Sequence, residues 1–359
     1  MPLKVHTDIE SLSPYVPGKP IDELQRELGL SRIVKLASNE NPLGPSPKAL
    51  AVLADAAATL HRYPDGGAFR LRTGLADRWK VSLDQVILGN GSDEIIGMLA
   101  RAFLSPGDEA VMADNTFVIY KMEVTAAHGT PVIVPLRDGR HDLGAMAKAV
   151  TPRTKLLFVC NPNNPTGTMV SAAEIDALMA NVPEHVIVVF DEAYCEYVRD
   201  PHFPDSLGYV RQTRNAIVLR TFSKIYGLAG LRIGYGVTTA EIAGYLNRVR
   251  PPFNANSLAQ RAALAALGDE EHVAKSRAMN QTEMAGVRTG LLALGLQPLP
   301  SEANFLYFDA GQDGRALYEA LLRKGVIVRH IEGNYVRVTI GLPEENRQFL
   351  QALKAVLGR

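Results

Sequence analysis

The stretch Ala216-Ile217-Val218-Leu219-Arg220-Thr221-Phe222-Ser223-Lys224 joins an apolar run to a cluster of reactive and polar groups. Its first four residues are continuously apolar, which is typical of a strand buried on both faces. Thr221 and Ser223 supply hydroxyls, and Arg232 follows closely within the segment GLAGLR. These groups can hold an anion such as a phosphate, while the amine of Lys224 can form a Schiff base with an aldehyde. Lys224 is therefore a candidate reactive group, although most lysines are solvated surface charges.

The composition limits the class of protein. The chain has 359 residues, more than a single small core can organise, so we expect two domains. Lysine plus arginine number 38 and aspartate plus glutamate number 38, which argues against a general binder of nucleic acid or of anionic membranes. The sequence has no apolar run near the ~20 residues of a membrane span, and its N-terminus lacks a signal-peptide pattern. Cys160 and Cys195 are not in CxxC spacing, so we expect reduced thiols in a cytoplasmic protein, with a disulfide as the alternative, and no metal site.

Short apolar runs alternate with helical patterns such as 93–103 and 171–179, between about residue 40 and residue 250. The predicted strands are 85–88, 109–113, 131–134, 155–160, 186–190, 216–219 and 233–237. Several are nearly continuous in Val, Ile and Leu, as strands covered on both faces tend to be. The pattern predicts an α/β fold, with a mostly parallel seven-stranded sheet in a large domain of residues 36–250.

The two ends of the chain differ from this pattern. Residues 1–35 are rich in Pro and Gly and hold one helical stretch near 21–28, so we interpret them as an N-terminal arm. Residues 251–359 predict a smaller α+β domain. Its predicted helices are 257–267, about 273–294, 315–324 and one from 344, and its predicted strands are 304–308, 326–329 and 335–340.

Three further motifs follow predicted strands, the positions where open α/β sheets place their sites. The first is GNGSDE at 89–94, where Ser92 or Asp93 is predicted to cap a helix whose free amides face an anion. A plain helix cap is the alternative interpretation. The motif is not the dinucleotide fingerprint GxGxxG, because Glu94 stands where the last glycine is needed, and this disfavours an NAD dehydrogenase.

The second motif, NPNNPTG at 161–167, has the composition of a turn, and Asn164 can donate a hydrogen bond to a phenolic oxygen. The third begins with Asp191, at the end of the apolar run 186–190. A buried aspartate is costly unless it meets a cation, and a protonated pyridine nitrogen is such a cation. A helix N-cap is the other interpretation of Asp191. Together with Lys224, these groups match what pyridoxal phosphate requires of a protein.

The order and spacing of these groups resemble the aspartate-aminotransferase-like enzymes of fold type I over nearly the whole chain. Three segments are similar to the histidinol-phosphate aminotransferase family within that group: LASNENPLGPSP at 36–47, HRYPD at 61–65 and RVTIG at 337–341. The resemblance implies pyridoxal 5′-phosphate as the cofactor. It also implies that the N-terminal arm contributes to the small domain and to dimer contacts.

The resemblance assigns roles around the cofactor ring. Lys224 is the covalent anchor, and its freed amine carries the proton from the substrate Cα. An unperturbed lysine amine titrates near ~10.4, so burial and nearby positive charge must lower its pKa. Asp191 pairs with the pyridinium, Tyr194 and Asn164 bond to the phenolic oxygen, and Phe117 stacks on the ring. Phe117 has a core-packing alternative.

The resemblance also assigns a cofactor phosphate site and a partner. The phosphate is expected among Ser92, the backbone amide of Asp93, Thr221, Ser223 and Arg232. Tyr63 is expected to reach the phosphate bound by the neighbouring subunit, which implies a homodimer with shared active sites. Packing within its own turn is the alternative for Tyr63.

Arg337 matches the arginine that holds the acidic end of both small-molecule substrates, since its planar fork suits a phosphate or a carboxylate. Arg329 matches a second arginine, with a solvated surface charge as its alternative. Further polar substrate contacts are expected from Asn39, Asn164 and Asn304. The chain departs from its relatives at 330–336 (HIEGNYV), a loop several residues shorter than the usual version and on the substrate side.

The leading hypothesis is amino transfer between L-glutamate and imidazole-acetol phosphate, which gives L-histidinol phosphate and 2-oxoglutarate in histidine biosynthesis. Two alternatives share the cofactor site and differ only in the substrate pocket: an aromatic amino-acid aminotransferase and a decarboxylase of threonine phosphate. A cofactor-binding regulator is disfavoured, because the chain keeps both Lys224 and Asp191.

Overall fold

Strands and helices alternate along most of the chain in the computed structural model, which describes residues 3–359. The strands are β1 (Val34–Lys35), β2 (Val86–Gly89), β3 (Glu109–Ala113), β4 (Thr130–Val134), β5 (Thr154–Cys160), β6 (Ile187–Asp191), β7 (Ala216–Thr221), β8 (Gly234–Thr238), β9 (Phe305–Asp309), β10 (Val326–Ile327), β11 (Arg329–His330) and β12 (Tyr335–Thr339). The helices are α1 (Thr7–Glu10), α2 (Ile21–Leu28), α3 (Pro47–Ala57), α4 (Phe69–Trp79), α5 (Ser92–Phe103), α6 (Ile119–Ala126), α7 (Leu143–Lys148), α8 (Ala172–Asn181), α9 (Leu207–Arg211), α10 (Ala240–Val249), α11 (Ser257–Leu267), α12 (Glu270–Ala293), α13 (Gly314–Leu322) and α14 (Pro343–Val356).

The seven apolar runs of the first 250 residues pair into one sheet, in the order β2-β8-β7-β6-β5-β3-β4. Strand β8 is antiparallel to both of its neighbours, and the other pairs are parallel. The predicted α/β fold with a mostly parallel seven-stranded sheet is therefore confirmed. Because β2 and β7 are both antiparallel to β8, they run in the same direction, and the segments that follow them meet at one edge of the sheet.

Both faces of this sheet are buried. Side chains alternate along a strand, so Val188 and Phe190 pack in one apolar cluster while Ile187 and Val189 pack in another on the opposite face. Helix α11 follows the predicted boundary at residue 250, and its buried alanines pack in the first of these clusters. The predicted domain limits stay a prediction.

A third apolar cluster covers the antiparallel sheet β11-β12-β9 and helices α12 and α14. Strand β1 joins this end of the chain by pairing in parallel with β10, with Val34 opposite Val326. The single strand predicted at 326–329 was wrong, because β10 pairs with β1 while β11 turns to pair with β12. Residues 1 and 2 of the predicted arm lie outside the described residues.

Candidate active site

A cavity of about 410 Å³ opens at the edge of the sheet where β5, β6 and β7 end. It brings together thirteen residues that were predicted from the sequence. These are Asn39, Ser92, Asp93, Phe117, Asn164, Asp191, Tyr194, Thr221, Ser223, Lys224, Arg232, Arg329 and Arg337. The convergence of the predicted motifs follows from the common direction of β2, β5, β6 and β7, since the carboxyl ends of these strands lie at the same edge of the sheet. Asn39, Arg329 and Arg337 reach the cavity from outside this sheet.

Lys224 follows β7 and lies partly buried against the segment 36–47. Its Nζ donates to the carbonyl oxygen of Ser38 at 3.2 Å and lies 5.7 Å from the ring centroid of Tyr194. Burial, reinforced by the positive charge of Arg337, lowers the pKa of Lys224 to about 8. The amine therefore holds its proton more loosely than a lysine in water, as proton transfer near neutral pH requires.

The segment 36–47 holds the Lys224 turn through side-chain amides and backbone groups. The Nδ2 group of Asn41 donates to the carbonyl oxygen of Ile225 at 2.7 Å, and the amide of Ser46 donates to the carbonyl oxygen of Tyr226 at 3.1 Å. The contacts of this segment with the Lys224 turn were not predicted from the sequence.

Asp191 is the last residue of β6 and is 3% exposed. Its Oδ2 accepts from the hydroxyl of Tyr120 at 2.6 Å, and its Oδ1 accepts from the amide of Ala193 at 3.3 Å. Burial raises the pKa of Asp191 to about 6, against the opposing effect of the Tyr120 hydrogen bond. The helix-cap interpretation of Asp191 was wrong, because the short 3₁₀ helix that follows has Tyr194 as its cap residue.

The N-terminus of α5 forms a cradle for an anion. The predicted cap by Ser92 or Asp93 was wrong, because the cap residue is Gly91, which has no side chain. The first amides of α5 are thus left for another acceptor. The carboxylate of Asp93 instead accepts from Nη2 of Arg232 at 2.8 Å.

Gly91 lies directly against the ion pair of Asp93 and Arg232, which leaves no room for a side chain at this position. Gly91 has a φ of 88°, and a Cβ there would lie 2.0 Å from Oδ1 of Asp93 and 2.3 Å from Nη2 of Arg232. Thr221 and Ser223 add hydroxyls at the same wall of the cavity. Backbone amides, two hydroxyls and a guanidinium are the donors that a phosphate group needs, so these residues fit the phosphate of pyridoxal phosphate.

Arg337 and Arg329 form a cross-strand pair on β12 and β11, and both side chains line the cavity. Arg337 is 8% exposed and donates to the carbonyl oxygen of Ala37 at 2.7 Å and to Oδ1 of Asn164. Within the described chain, its Nε is buried without a hydrogen-bond partner. Guanidinium groups bind oxyanions well, so these two arginines make this part of the cavity a candidate site for an oxyanion.

Asn39 lines the cavity, and its Nδ2 donates to the hydroxyl of Tyr194 at 2.9 Å. Asn304 lies behind it and donates to the carbonyl oxygen of Asn39 at 3.1 Å. Tyr63 lies outside the cavity of its own chain, 82% exposed, with its ring stacked on Phe253 at 4.7 Å. The structure therefore brings neither Asn304 nor Tyr63 to the cavity surface of this chain.

Two neighbours of the site were missed. Tyr15 of the N-terminal arm lines the cavity, with the Arg329 guanidinium 5.6 Å from its ring centroid, and only its aromatic character in a Pro-rich stretch could have indicated this. The second neighbour is Tyr120, whose hydroxyl donates to Asp191. Its position three residues after Phe117 is the signal that could have indicated it. The shortened loop contributes Ile331 and Glu332 to an adjoining cavity of about 520 Å³.

The fold and the cavity define an enzyme of the aspartate-aminotransferase-like fold type I. A family model described as aminotransferase class I and II matches residues 31–353. The histidinol-phosphate aminotransferase of Moorella thermoacetica is 53% identical, over 99% of this chain and 93% of that protein. Histidinol-phosphate aminotransferase 2 of Pseudomonas fluorescens is 50% identical, over 98% of this chain and 96% of that protein. The chain therefore belongs to the class I and II aminotransferases and, within them, to the histidinol-phosphate aminotransferase family.

Solved structures agree with this assignment. The histidinol-phosphate aminotransferase of Sinorhizobium meliloti, in complex with pyridoxal-5′-phosphate, superposes with a TM-score of 0.91. It is 29% identical, and the match covers 99% of this chain and 98% of that one. The aspartate aminotransferase of Thermus thermophilus with maleate gives a TM-score of 0.85 at 25% identity, over 99% of this chain and the whole of that one.

Proposed function

We propose that this chain is a pyridoxal-phosphate-dependent aminotransferase that exchanges an amino group between L-glutamate and imidazole-acetol phosphate. The products are L-histidinol phosphate and 2-oxoglutarate, and the reaction belongs to histidine biosynthesis. Relatives about half identical over nearly the full length carry the name of this enzyme. The structural observation that carries the proposal is the pair Arg337 and Arg329, which faces the same cavity as Lys224.

Residues of the cavity wall would hold the cofactor at both ends. The α5 amides, Thr221, Ser223 and Arg232 would bind its phosphate, and Asp191 would bind its protonated ring nitrogen. Phe117 would pack on the ring. The bound cofactor supplies an electron sink that stabilises negative charge at the substrate Cα.

Lys224 is the group that we propose to move the proton. Its pKa, lowered to about 8 by burial and by Arg337, leaves part of the amine free to accept a proton near neutral pH. Nδ2 of Asn39 donates to the Tyr194 hydroxyl at 2.9 Å, which holds the hydroxyl in place, and the ring centroid of Tyr194 lies 5.7 Å from Lys224 Nζ. We propose that Tyr194 and Asn164 bind the phenolic oxygen of the cofactor.

Arg337 would bind the acidic end of each substrate in turn, the phosphate of histidinol phosphate or a carboxylate of glutamate. Its buried Nε gives it a donor that the described chain leaves unpaired. Arg329 would add a second positive charge, since the two residues are opposite each other in the β11–β12 ladder. Asn39 would be a direct polar contact, whereas Asn304 would act through the backbone of Asn39.

The test compares kcat/KM for L-histidinol phosphate and for L-phenylalanine, with 2-oxoglutarate as the acceptor. We expect a clear preference for histidinol phosphate, on the order of 100-fold, because two guanidinium groups meet its phosphate. A preference for phenylalanine would contradict the proposal and favour an aromatic aminotransferase. Release of carbon dioxide from threonine phosphate would favour the decarboxylase.

L-Histidinol serves as the matched control substrate, because it differs from histidinol phosphate only in lacking the phosphate. The wild-type enzyme should prefer the phosphorylated compound, and Arg337→Ala should remove most of that preference. An Arg337→Ala enzyme that keeps the full preference would show that the phosphate binds elsewhere.

We also propose that the enzyme is a cytoplasmic homodimer in which Tyr63 reaches the cofactor phosphate of the neighbouring subunit. Its exposed ring, stacked on the exposed Phe253, supports this, since large apolar side chains in contact at a surface commonly mark a protein interface. Leu60 and Phe69 are also exposed nearby in the sequence. Light scattering should give twice the mass of one chain, and a monomer would contradict the proposal.

For residues 3–359, no helix is long and apolar enough to cross a membrane.

A further inference from the structure

Tyr120 lies directly behind Asp191 and is fully buried. Its hydroxyl donates to Oδ2 of Asp191 at 2.6 Å. The ring is fixed from two sides: it stacks on Phe158 at 4.6 Å with an interplanar angle of 12°, and it meets Phe117 edge-on at 5.6 Å. A phenol held by two rings in a packed core can direct its O–H along few directions, so the hydrogen bond to Asp191 is built into the packing.

Because of this hydrogen bond, the two carboxylate oxygens of Asp191 differ in their capacity to accept a further hydrogen bond. Oδ2 receives a short hydrogen bond from Tyr120, whereas Oδ1 has only the more distant amide of Ala193, at 3.3 Å. Oδ1 therefore keeps the capacity to accept a further N–H from the cavity that Asp191 lines. Without Tyr120, the carboxylate would lose the partner that fixes its plane.

The same bond favours the charged form of Asp191. Burial raises the pKa of this carboxyl to about 6, and the hydrogen bond from Tyr120 is the largest influence that opposes the rise. Removal of the hydroxyl would therefore make the carboxylate harder to ionise as well as less well oriented.

We propose that Tyr120 is a positioning residue for the cofactor, which holds Asp191 by Oδ2 so that Oδ1 accepts the N–H of the protonated pyridine ring. The hydroxyl acts only through Asp191, since Tyr120 lies behind the cavity wall. The proposal rests on pyridoxal phosphate as the cofactor and is independent of which substrate the enzyme uses.

The experiment measures the dissociation constants of two aldehyde probes for the full chain freed of its cofactor, by quenching of protein fluorescence. One probe is pyridoxal phosphate, and the other is the same phosphate ester with a benzene ring in place of the pyridine. Tyr120→Phe should weaken the binding of pyridoxal phosphate about tenfold, the effect expected from one hydrogen bond to a charged group. Its effect on the benzene analogue should stay below about twofold, because that probe offers Asp191 no ring N–H.

Tyr235→Phe is the matched control. Tyr235 is also a buried tyrosine whose hydroxyl has one hydrogen bond, from Nε1 of Trp79 at 3.1 Å, but it lies away from the cavity. Its loss should affect stability and leave the ratio of the two dissociation constants unchanged. In an Asp191→Asn background, Tyr120→Phe should cause no further selective loss, because the two residues act as one unit.

Equal weakening of both probes by Tyr120→Phe would overturn the proposal, since the hydroxyl would then serve only the general packing of the site. The same selective loss in Tyr235→Phe would overturn it too. Failure of the Tyr120→Phe chain to fold, when the Asp191→Asn chain folds, would show that the hydroxyl is needed by the core and not by Asp191. These outcomes do not depend on the amino-acid substrate, so they are distinguishable from failure of the proposed reaction.

Discussion

The amine of Lys224 differs from other lysines of the chain because the fold limits its contact with water and places positive charge beside it. Burial is the larger cause of its lowered pKa, and Arg337 adds to it. A lysine whose pKa is lower in the folded chain destabilises that chain whenever it is protonated. The amine that we propose to move the proton therefore lowers the stability of the folded chain before the cofactor binds.

The pH dependence of this cost can be measured with Lys224→Met in the cofactor-free chain. The loss in free energy of unfolding caused by the protonated amine is complete below the pKa of about 8 that Lys224 has in the folded chain. The loss declines as the pH rises from there and vanishes above the ordinary pKa of 10.5. At pH 7 the substitution should raise the free energy of unfolding by up to about 3 kcal/mol, and the gain should shrink toward pH 10.5. Urea unfolding at several pH values measures it, with the exposed Lys148→Met as the control. A gain in Lys224→Met that is constant with pH would contradict the assignment.

Helix α5 follows β2, and its cap residue is Gly91. Because glycine has no side chain, the first amides of the helix remain free to bind another acceptor. Gly91→Ala would introduce a Cβ within 2.3 Å of Arg232 Nη2 at a φ of 88°. We expect the affinity for pyridoxal phosphate to fall at least about tenfold, because the methyl group would displace the Asp93–Arg232 ion pair and so move the guanidinium proposed to bind the phosphate. Titration of the cofactor-free chain with pyridoxal phosphate measures this loss.

Gly107→Ala is the matched control for backbone strain. Gly107 has a similar φ of 95°, and a Cβ there would have nothing within 4 Å. Both substitutions should lower the melting temperature, since an L-residue held in a sparsely populated backbone region at positive φ costs on the order of 1–3 kcal/mol. Only Gly91→Ala should change the affinity for the cofactor. An unchanged affinity in Gly91→Ala would mean that the phosphate lies away from the N-terminus of α5.

The elements that could be predicted from the sequence are those that form because of residues close together along the chain. Strand β6 was predicted because a continuous apolar run needs burial on both faces, and Asp191 was noticed because a carboxylate at the end of such a run needs a partner. Strand β1 was not predicted, and β10 was predicted only as part of one strand at 326–329, because each has two residues and exists only through pairing with the other. The partnership of Tyr120 and Asp191 was missed for the same reason, since it joins elements that are distant along the chain.

Tyr63 is exposed on its own chain, so the active site that it serves depends on how two chains associate. In this chain it stacks on Phe253 and lies outside the cavity that holds Lys224. If each subunit lends Tyr63 to its neighbour, an intact site draws Lys224 from one chain and Tyr63 from the other. Closed two-fold symmetry then gives a dimer two equivalent shared sites.

Hybrid dimers with two different tags can test this arrangement. A hybrid of a Lys224→Ala chain and a Tyr63→Ala chain contains one site in which both residues are intact, so it should show about half of the wild-type activity per dimer. The matched control places the same two substitutions on one chain and pairs it with a wild-type chain. Its remaining Lys224 then faces a substituted Tyr63, so its activity should stay near half that of the Tyr63→Ala homodimer. If instead the control hybrid shows about half of the wild-type activity and the hybrid of the two single substitutions shows less, Tyr63 serves the site of its own chain. The proposed shared site is then wrong.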